Sequence, residues 1–268
     1  MSQTFDPVRQ AAALALAAGQ LAMVVEVTRA QGSVPREVGS RMLVTTHTVI
    51  GTIGGGHLEL QAIAHSRAML AGAVASHQQH YALGPSLGQC CGGALDLRTQ
   101  ALSAATLAAW PEAQPLFRLQ LYGAGHVGRA IAQLLERIPC QVQWIDEREA
   151  EFPTEPSAPH LQRICAEAGQ AEVASASPGG YFLVLTHSHD LDLAITHAIL
   201  QRGDFAYLGL IGSATKRARF VHRLAARGIA PELLARITCP IGLPGIDGKA
   251  PAVIAVAVVA QLLMAAGG

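Results

Sequence analysis

The sequence predicts two α/β units in tandem: an N-terminal α+β domain, then a doubly wound domain built on a parallel sheet. Three observations carry that expectation. The chain has 268 residues, more than one domain commonly holds. Half of them are apolar and 14% are charged, enough for a substantial core and too apolar for disorder. The pattern also changes at Trp110-Pro111-Glu112-Ala113-Gln114-Pro115, where two prolines separate an irregular first half from a second half of alternating strand-like and helix-like segments. The domains are accordingly drawn at residues 1–112 and 113–268.

Within the first half, residues 21–28 (LAMVVEVT) read as a strand, 31–40 as a glycine- and proline-bearing loop and 41–53 as β-rich. Residues 57–71 have helix-like character, with Leu58, Ala62 and Leu70 among the apolar positions. Residues 79–83 and 94–97 read as further strands. In the second half, strands at 117–122, 141–146, 181–186 and 206–211 alternate with helices at 126–137, 191–202 and 214–227. Such alternation implies parallel pairing and a doubly wound sheet. Residues 152–160 carry prolines and serine and read as a loop. Residues 250–268 read as a buried helix rather than a membrane span, being short, interrupted by Gln261 and begun near Pro251.

A formal net charge of zero argues against nucleic acid as the main partner, because that footprint is basic. The five cysteines, Cys90, Cys91, Cys140, Cys165 and Cys239, are odd in number and irregular in spacing, unlike a secreted disulfide framework. The first twenty residues show no basic leader followed by an apolar block. A reducing cytoplasm is the expected compartment, with no membrane partner.

Chemistry concentrates in a few motifs. In Gly88-Gln89-Cys90-Cys91-Gly92-Gly93 two thiols share a glycine-flanked turn. Consecutive Cα atoms lie about 3.8 Å apart, below the usual range for a disulfide. The pair suits a soft metal or a sulfur-rich group, with Cys91 preferred because it abuts the freest backbone. The bland alternative is one packed cysteine beside an incidental one.

In the second half, Gly123-Ala124-Gly125-His126-Val127-Gly128 follows a strand and opens a helix, and Asp146 ends the next strand. That is the Rossmann dinucleotide fingerprint: Gly123 and Gly128 serve the turn and the helix packing, Gly125 admits a pyrophosphate, and Asp146 binds ribose hydroxyls. A nucleotide at this turn, and a nicotinamide-dependent oxidoreductase built on it, are therefore candidate readings. Glycines required only by the fold are the other. Thr186-His187-Ser188-His189-Asp190-Leu191-Asp192 invites comparison with a dimetal hydrolase signature, but Leu191 and Asp192 stand where Asp and His are needed. These histidines are expected to line the crevice at the carboxyl ends of the strands, with Asp190 or Asp192 capping the next helix.

Taken in order, Gly32-Ser33-Val34-Pro35-Arg36 with Gly39 to Met42, then Gly51-Thr52-Ile53-Gly54-Gly55-Gly56-His57-Leu58-Glu59, the cysteine turn, the Gly123 turn, Thr186-His187, Gly209 to Ser213 with Lys216 and Arg219, and Cys239-Pro240-Ile241-Gly242 resemble the XdhC/CoxI family over nearly the whole chain. The resemblance implies a carrier rather than an enzyme. Such a protein binds molybdenum cofactor, in its molybdopterin or its dinucleotide form, and holds it for sulfuration by a cysteine desulfurase. It then delivers the cofactor to apo-xanthine dehydrogenase. A homodimer is plausible from the apolar last helix.

Many relatives carry a glutamate soon after the proline of the last helix, where this chain has Ala252 and Val253. For the carrier role, Cys90 and Cys91 are the candidate molybdenum ligands, next to Gly92. Arg36 and Arg41 are candidate phosphate forks, with solvated loop charges as the alternative. Gly54, Gly55 and Gly56 would expose amides to an anion. Glu59 is either a first-turn acid favoured by the helix dipole or an acceptor for a pterin N–H.

Overall fold

The computed structural model describes residues 6–72, 76–83 and 92–267. The chain forms two compact units, Asp6–Glu112 and one containing Ala113–Gly268. The amino-terminal unit runs α1 (Pro7–Ala17), β1 (Ala22–Gln31), β2 (Arg41–Thr45), β3 (Val49–Gly51), α2 (Gly56–Gly72), β4 (Ser76–Ala82), β5 (Ala94–Ala101) and α3 (Ala104–Ala108). Its strands form an antiparallel sheet in the order β3-β2-β1-β5-β4. Alternation along the strands sends Val25, Val27, Met42 and Val44 to the face covered by Leu58 and Ala62 of α2. Val24 and Leu43 go to the face covered by Ala12 and Ala15 of α1.

The first helix has no counterpart among the elements expected from the sequence. Its start was nevertheless signalled: Asp6 accepts from the Arg9 amide at 2.9 Å and Pro7 occupies the first turn, the usual chemistry of a helix N-terminus.

The carboxy-terminal unit runs β6 (Arg118–Tyr122), α4 (His126–Leu135), β7 (Gln141–Asp146), β8 (Leu161–Cys165), α5 (Gly169–Glu172), β9 (Tyr181–Val184), α6 (His189–Arg202), β10 (Tyr207–Leu210), α7 (Ala214–Ala225), α8 (Pro231–Ala235), β11 (Ile237–Thr238) and α9 (Pro251–Ala266). All its strand pairs are parallel, in the order β11-β10-β9-β6-β7-β8. Counted from β6 as the first strand, this is the Rossmann order, and strand order reverses between β6 and β9. Leu119, Leu121 and Leu183 pack with Ile131 of α4 and Val258 of α9. Phe182, Val184, Leu208 and Leu210 point to the other face, against Leu193 and Ile199 of α6 and Phe220 of α7.

The last helix is only partly the buried helix expected: Ala255, Val258 and Leu262 are buried, while Val256 and Met264 are exposed. Among the described residues, no helix is long and apolar enough to cross a membrane.

Candidate functional site

Three of the first-half motifs meet at one end of the amino-terminal sheet. The loop leaving β1 touches two partners at once. An added Cβ at Gly54 would lie 2.5 Å from the Pro35 ring, and one at Gly93 would lie 2.4 Å from the Ser33 carbonyl oxygen. The antiparallel register explains the meeting, because Gln31 at the end of β1 pairs with Ala94 at the start of β5. Cys90 and Cys91 lie outside the described residues; the chain re-enters at Gly92, which is exposed. Arg36 is exposed too and has no ion-pair or hydrogen-bond partner among the described residues.

Two candidate binding elements at this end have partners within the protein. Two of the three triglycine amides, those of Gly54 and Gly55, are engaged inside the turn. Glu59 Oε2 accepts from the amides of Ile53 and Gly55, both at 3.1 Å, and from the Thr52 hydroxyl at 2.5 Å. Gly54 N donates to Thr52 Oγ1 at 3.0 Å. Glu59 is thus the residue that shapes the turn, with Thr52 as a partner the sequence reading missed; a Thr followed seven residues later by Glu carries no periodic signal.

Arg41, for its part, is not a free loop charge. It sits at the start of β2, opposite Glu26 in the register. It pairs with that buried carboxylate, which Arg98 also holds, and its guanidinium lies 4.9 Å from the Trp110 ring centre.

In the carboxy-terminal unit the glycine-rich turn is equally self-contained. Gly123 and Gly128 are required by packing: an added Cβ would lie 2.3 Å from the Leu185 carbonyl oxygen at the first and 2.0 Å from the Gly123 carbonyl oxygen at the second. At Gly125 an added Cβ meets nothing within 4 Å.

Asp146 does not stand open for ribose hydroxyls in this structure. Its Oδ2 accepts from the Ala124 amide at 2.6 Å, and Arg148 grips both oxygens from Nε at 2.9 Å and Nη2 at 3.0 Å. Burial pushes the carboxyl up, but the hydrogen bonds from Arg148 and the Ala124 amide outweigh it and hold the group below its ordinary range.

Beyond the switch point, a cleft of about 400 Å³ opens at the carboxyl ends of β9 and β10, lined by Thr186, His187, Ser213, Lys216, Arg219 and Arg223 among others. Its floor is ordered by Asp192, which is fully buried. One oxygen accepts from the Thr186 amide at 2.9 Å and hydroxyl at 2.7 Å, and the other from Lys216 Nζ at 2.6 Å. Lys216 also donates to the Ile211 carbonyl at 2.8 Å. The helix cap expected of Asp190 or Asp192 falls instead to Ser188, whose hydroxyl accepts from the Leu191 amide. His187 does line the cleft, as does His189, and His187 Nε2 lies 3.4 Å from Glu147. Among the described residues no group of three or more His, Cys, Asp or Glu is placed to hold a metal ion.

A larger cavity of about 630 Å³ lies at the opposite, amino ends of the strands. Its arginines are already committed, Arg118 to Gln141 and Arg163 to Ser157 and the carbonyls of Pro153 and Glu155. It also lies away from the carboxyl edge where open α/β sheets bind ligands, so the smaller cleft is the stronger candidate.

Comparison with known proteins agrees with this architecture. Residues 119–262 match the family described as the XdhC Rossmann domain, and residues 15–82 that described as the XdhC and CoxI family. The chain is similar to "Uncharacterized protein YqeB" of Escherichia coli (strain K12), with 29% identity over 250 residues. The match covers 90% of this chain but 42% of that relative's length. The fold is also like that of a crystal structure described as a xanthine dehydrogenase from Bacillus halodurans, with a TM-score of 0.76, 17% identity, and coverage of 96% of this chain and 95% of the other.

Proposed function

We propose that this chain, which belongs to the XdhC and CoxI family, is a maturation factor for a molybdenum enzyme of the xanthine dehydrogenase class. In this reading it binds molybdenum cofactor, holds it for sulfuration by a cysteine desulfurase and passes it to the apo-enzyme, without turning over a substrate of its own. The observation that carries the reading is the meeting of the Ser33–Pro35 loop, the Gly54 turn and Gly92-Gly93 at one end of a sheet. The cysteine pair immediately precedes Gly92 in sequence.

The donor set fits the cofactor. Thiolates suit a sulfur-ligated oxidised metal, and the Arg36 guanidinium, which has no partner among the described residues, suits a phosphate. Among the described residues, added Cβ atoms at Gly55 and Gly92 meet nothing within 4 Å, so none of these residues blocks a ligand from the main chain there. Cys90 and Cys91 would hold the metal and Arg36 the phosphate. Arg41 and Glu59 act on the protein itself, one clasping Glu26 and the other fixing the triglycine turn. When bound, the cofactor supplies the metal centre that the client enzyme uses.

The test is loading. Molybdenum and the fluorescent oxidation product of molybdopterin are measured on purified protein, followed by reactivation of an apo-molybdoenzyme. Cys91→Ala is expected to lose most of the cofactor and the activation, and the Cys90→Ala/Cys91→Ala double variant all of it. Arg36→Ala is expected to load about tenfold more weakly at unchanged stability, the scale of one lost charge-assisted hydrogen bond. A double cysteine variant that loads and activates normally overturns the carrier mechanism.

A further inference from the structure

We propose that the cleft at the carboxyl ends of β9 and β10 is an anion site that takes the phosphate group of a phosphorylated small molecule. Its described lining includes three permanent cations, Lys216, Arg219 and Arg223, and no carboxylate, although Asp192 and Asp190 reach two of those cations from outside the lining. The charges differ in how far they are already answered. Lys216 is paired with Asp192. Arg223 lies 3.5 Å from Asp190, whose side chain is 88% exposed, so that pair is weak and easily exchanged. Arg219 is exposed and has no partner among the described residues.

Two helices of adequate length begin at the rim, α6 capped by Ser188 and α7 capped by Ser213. Their positive ends add to the same field. Asp192 fixes Thr186 and Lys216 in place before any ligand arrives, so on binding only the exposed Arg219 and Arg223 side chains would have to be ordered.

The rest of this unit sends an anion to the same place. At the glycine-rich turn, the amide of Ala124 is held by Asp146, and a phosphate there would meet that carboxylate. Thr186 and His187 also line a second cavity, which reaches Tyr122 and Asp146 but measures only about 10 Å³, room for about one water and no ring. The body of the ligand therefore lies on the Arg219 side, where about 400 Å³ is available, within the usual range for small-molecule sites.

A phosphorylated pterin and a nucleotide carry the same group, and the inference holds whichever supplies it and whether or not the first unit carries molybdenum. Calorimetric titration of the full chain with inorganic phosphate, neopterin monophosphate and ADP tests it. At least one is expected to bind, and its affinity to fall about tenfold in Arg219→Ala, further in Arg219→Glu, and also in Arg223→Ala. Arg118→Ala, at the opposite end of the sheet, is expected to bind as the unaltered protein does. A preference for neopterin monophosphate would assign the site to a pterin, and a preference for ADP to a nucleotide. No binding of any of the three at millimolar concentration overturns the proposal. So does an affinity left unchanged by both Arg219→Glu and Arg223→Ala in folded protein.

Discussion

The turn at residues 51–56 in the amino-terminal unit and the turn at residues 123–128 in the carboxy-terminal unit are each closed by a single carboxylate. Glu59 reaches back from the first turn of its helix to gather the amides of Ile53 and Gly55 and the Thr52 hydroxyl. Asp146 reaches across from the neighbouring strand to the Ala124 amide, with Arg148 locked to its outer side. Both runs of glycine have the composition of an anion cradle, and in both the protein's own acid accepts from amides that an anion would otherwise use. What differs is the reason for each glycine. Gly123 and Gly128 are fixed by main-chain oxygens at 2.3 and 2.0 Å from an added Cβ, and Gly54 by a proline ring at 2.5 Å. Gly55 and Gly125 have empty space instead. A glycine motif is therefore several separate demands, and only some of them concern a ligand.

The sharpest test of that division is to fill the crowded positions. Gly128→Ala and Gly123→Ala drive a methyl group into backbone rather than into a movable side chain. Each is expected to cost about 3 kcal/mol or more in urea unfolding, the sum of overpacking and strain. Gly54→Ala is expected to cost a comparable amount, because the Pro35 ring it meets is bonded to its own main chain and Gly54 has φ of +123°. A much smaller loss at Gly54 would show that the loop carrying Pro35 gives way where the main chain at Leu185 and Gly123 does not.

Next come the two acids. Asp146→Ala leaves the Ala124 amide without its acceptor and Arg148 without its carboxylate, and is expected to cost about 2 kcal/mol. Because hydrogen bonds hold the folded carboxyl below its ordinary range, the stability it contributes is present at neutral pH. That contribution is lost as the pH falls below about 4 and through the folded value. Asp146→Asn should therefore lose less stability between pH 7 and pH 3 than the unaltered protein. Glu59→Ala releases three donors that water can reach in part, and about 1 kcal/mol is expected. A larger loss at Glu59 than at Asp146 would reverse the ranking of the two turns.

How much of this could be read beforehand depends on distance along the chain. The second half declared its parallel sheet because strand and helix periods alternate at short range, and Gly123 to Gly128 marks its first crossover. The strand β8 (Leu161–Cys165) escaped notice because it is a short edge strand carrying Gln162 and Arg163, and β11 is only two residues long. The carboxylate partners were illegible for another reason. Asp146 meets an amide 22 residues away, Lys216 meets Asp192 across 24, and Arg41 meets Glu26 across 15. A hydrogen bond to a main-chain amide leaves no mark on the residue type that supplies it. The Arg36 and Arg41 pair shows the consequence: both are candidate loop cations by sequence, and strand register separates Arg41, clasped to Glu26, from Arg36, which has no partner among the described residues.

The smallest effects, at Gly55 and Gly125, bear most directly on the comparison. Among the described residues neither methyl group would touch anything, so packing predicts the same neutral result for both. The backbone does not. Gly55 has φ of +76°, a region that costs a residue with a Cβ about 1–2 kcal/mol. Gly125 caps α4 with φ of −68°, which any residue adopts. Gly55→Ala is therefore expected to lose about 1 kcal/mol, and Gly125→Ala to change stability by less than about 0.5 kcal/mol. Matched urea midpoints for Gly125→Ala and the unaltered protein would leave folding with no use for that glycine. Its space would then belong to whatever approaches the turn from outside. A loss at Gly125 as large as that at Gly55 would return it to the fold, and the second turn would be structural at every position.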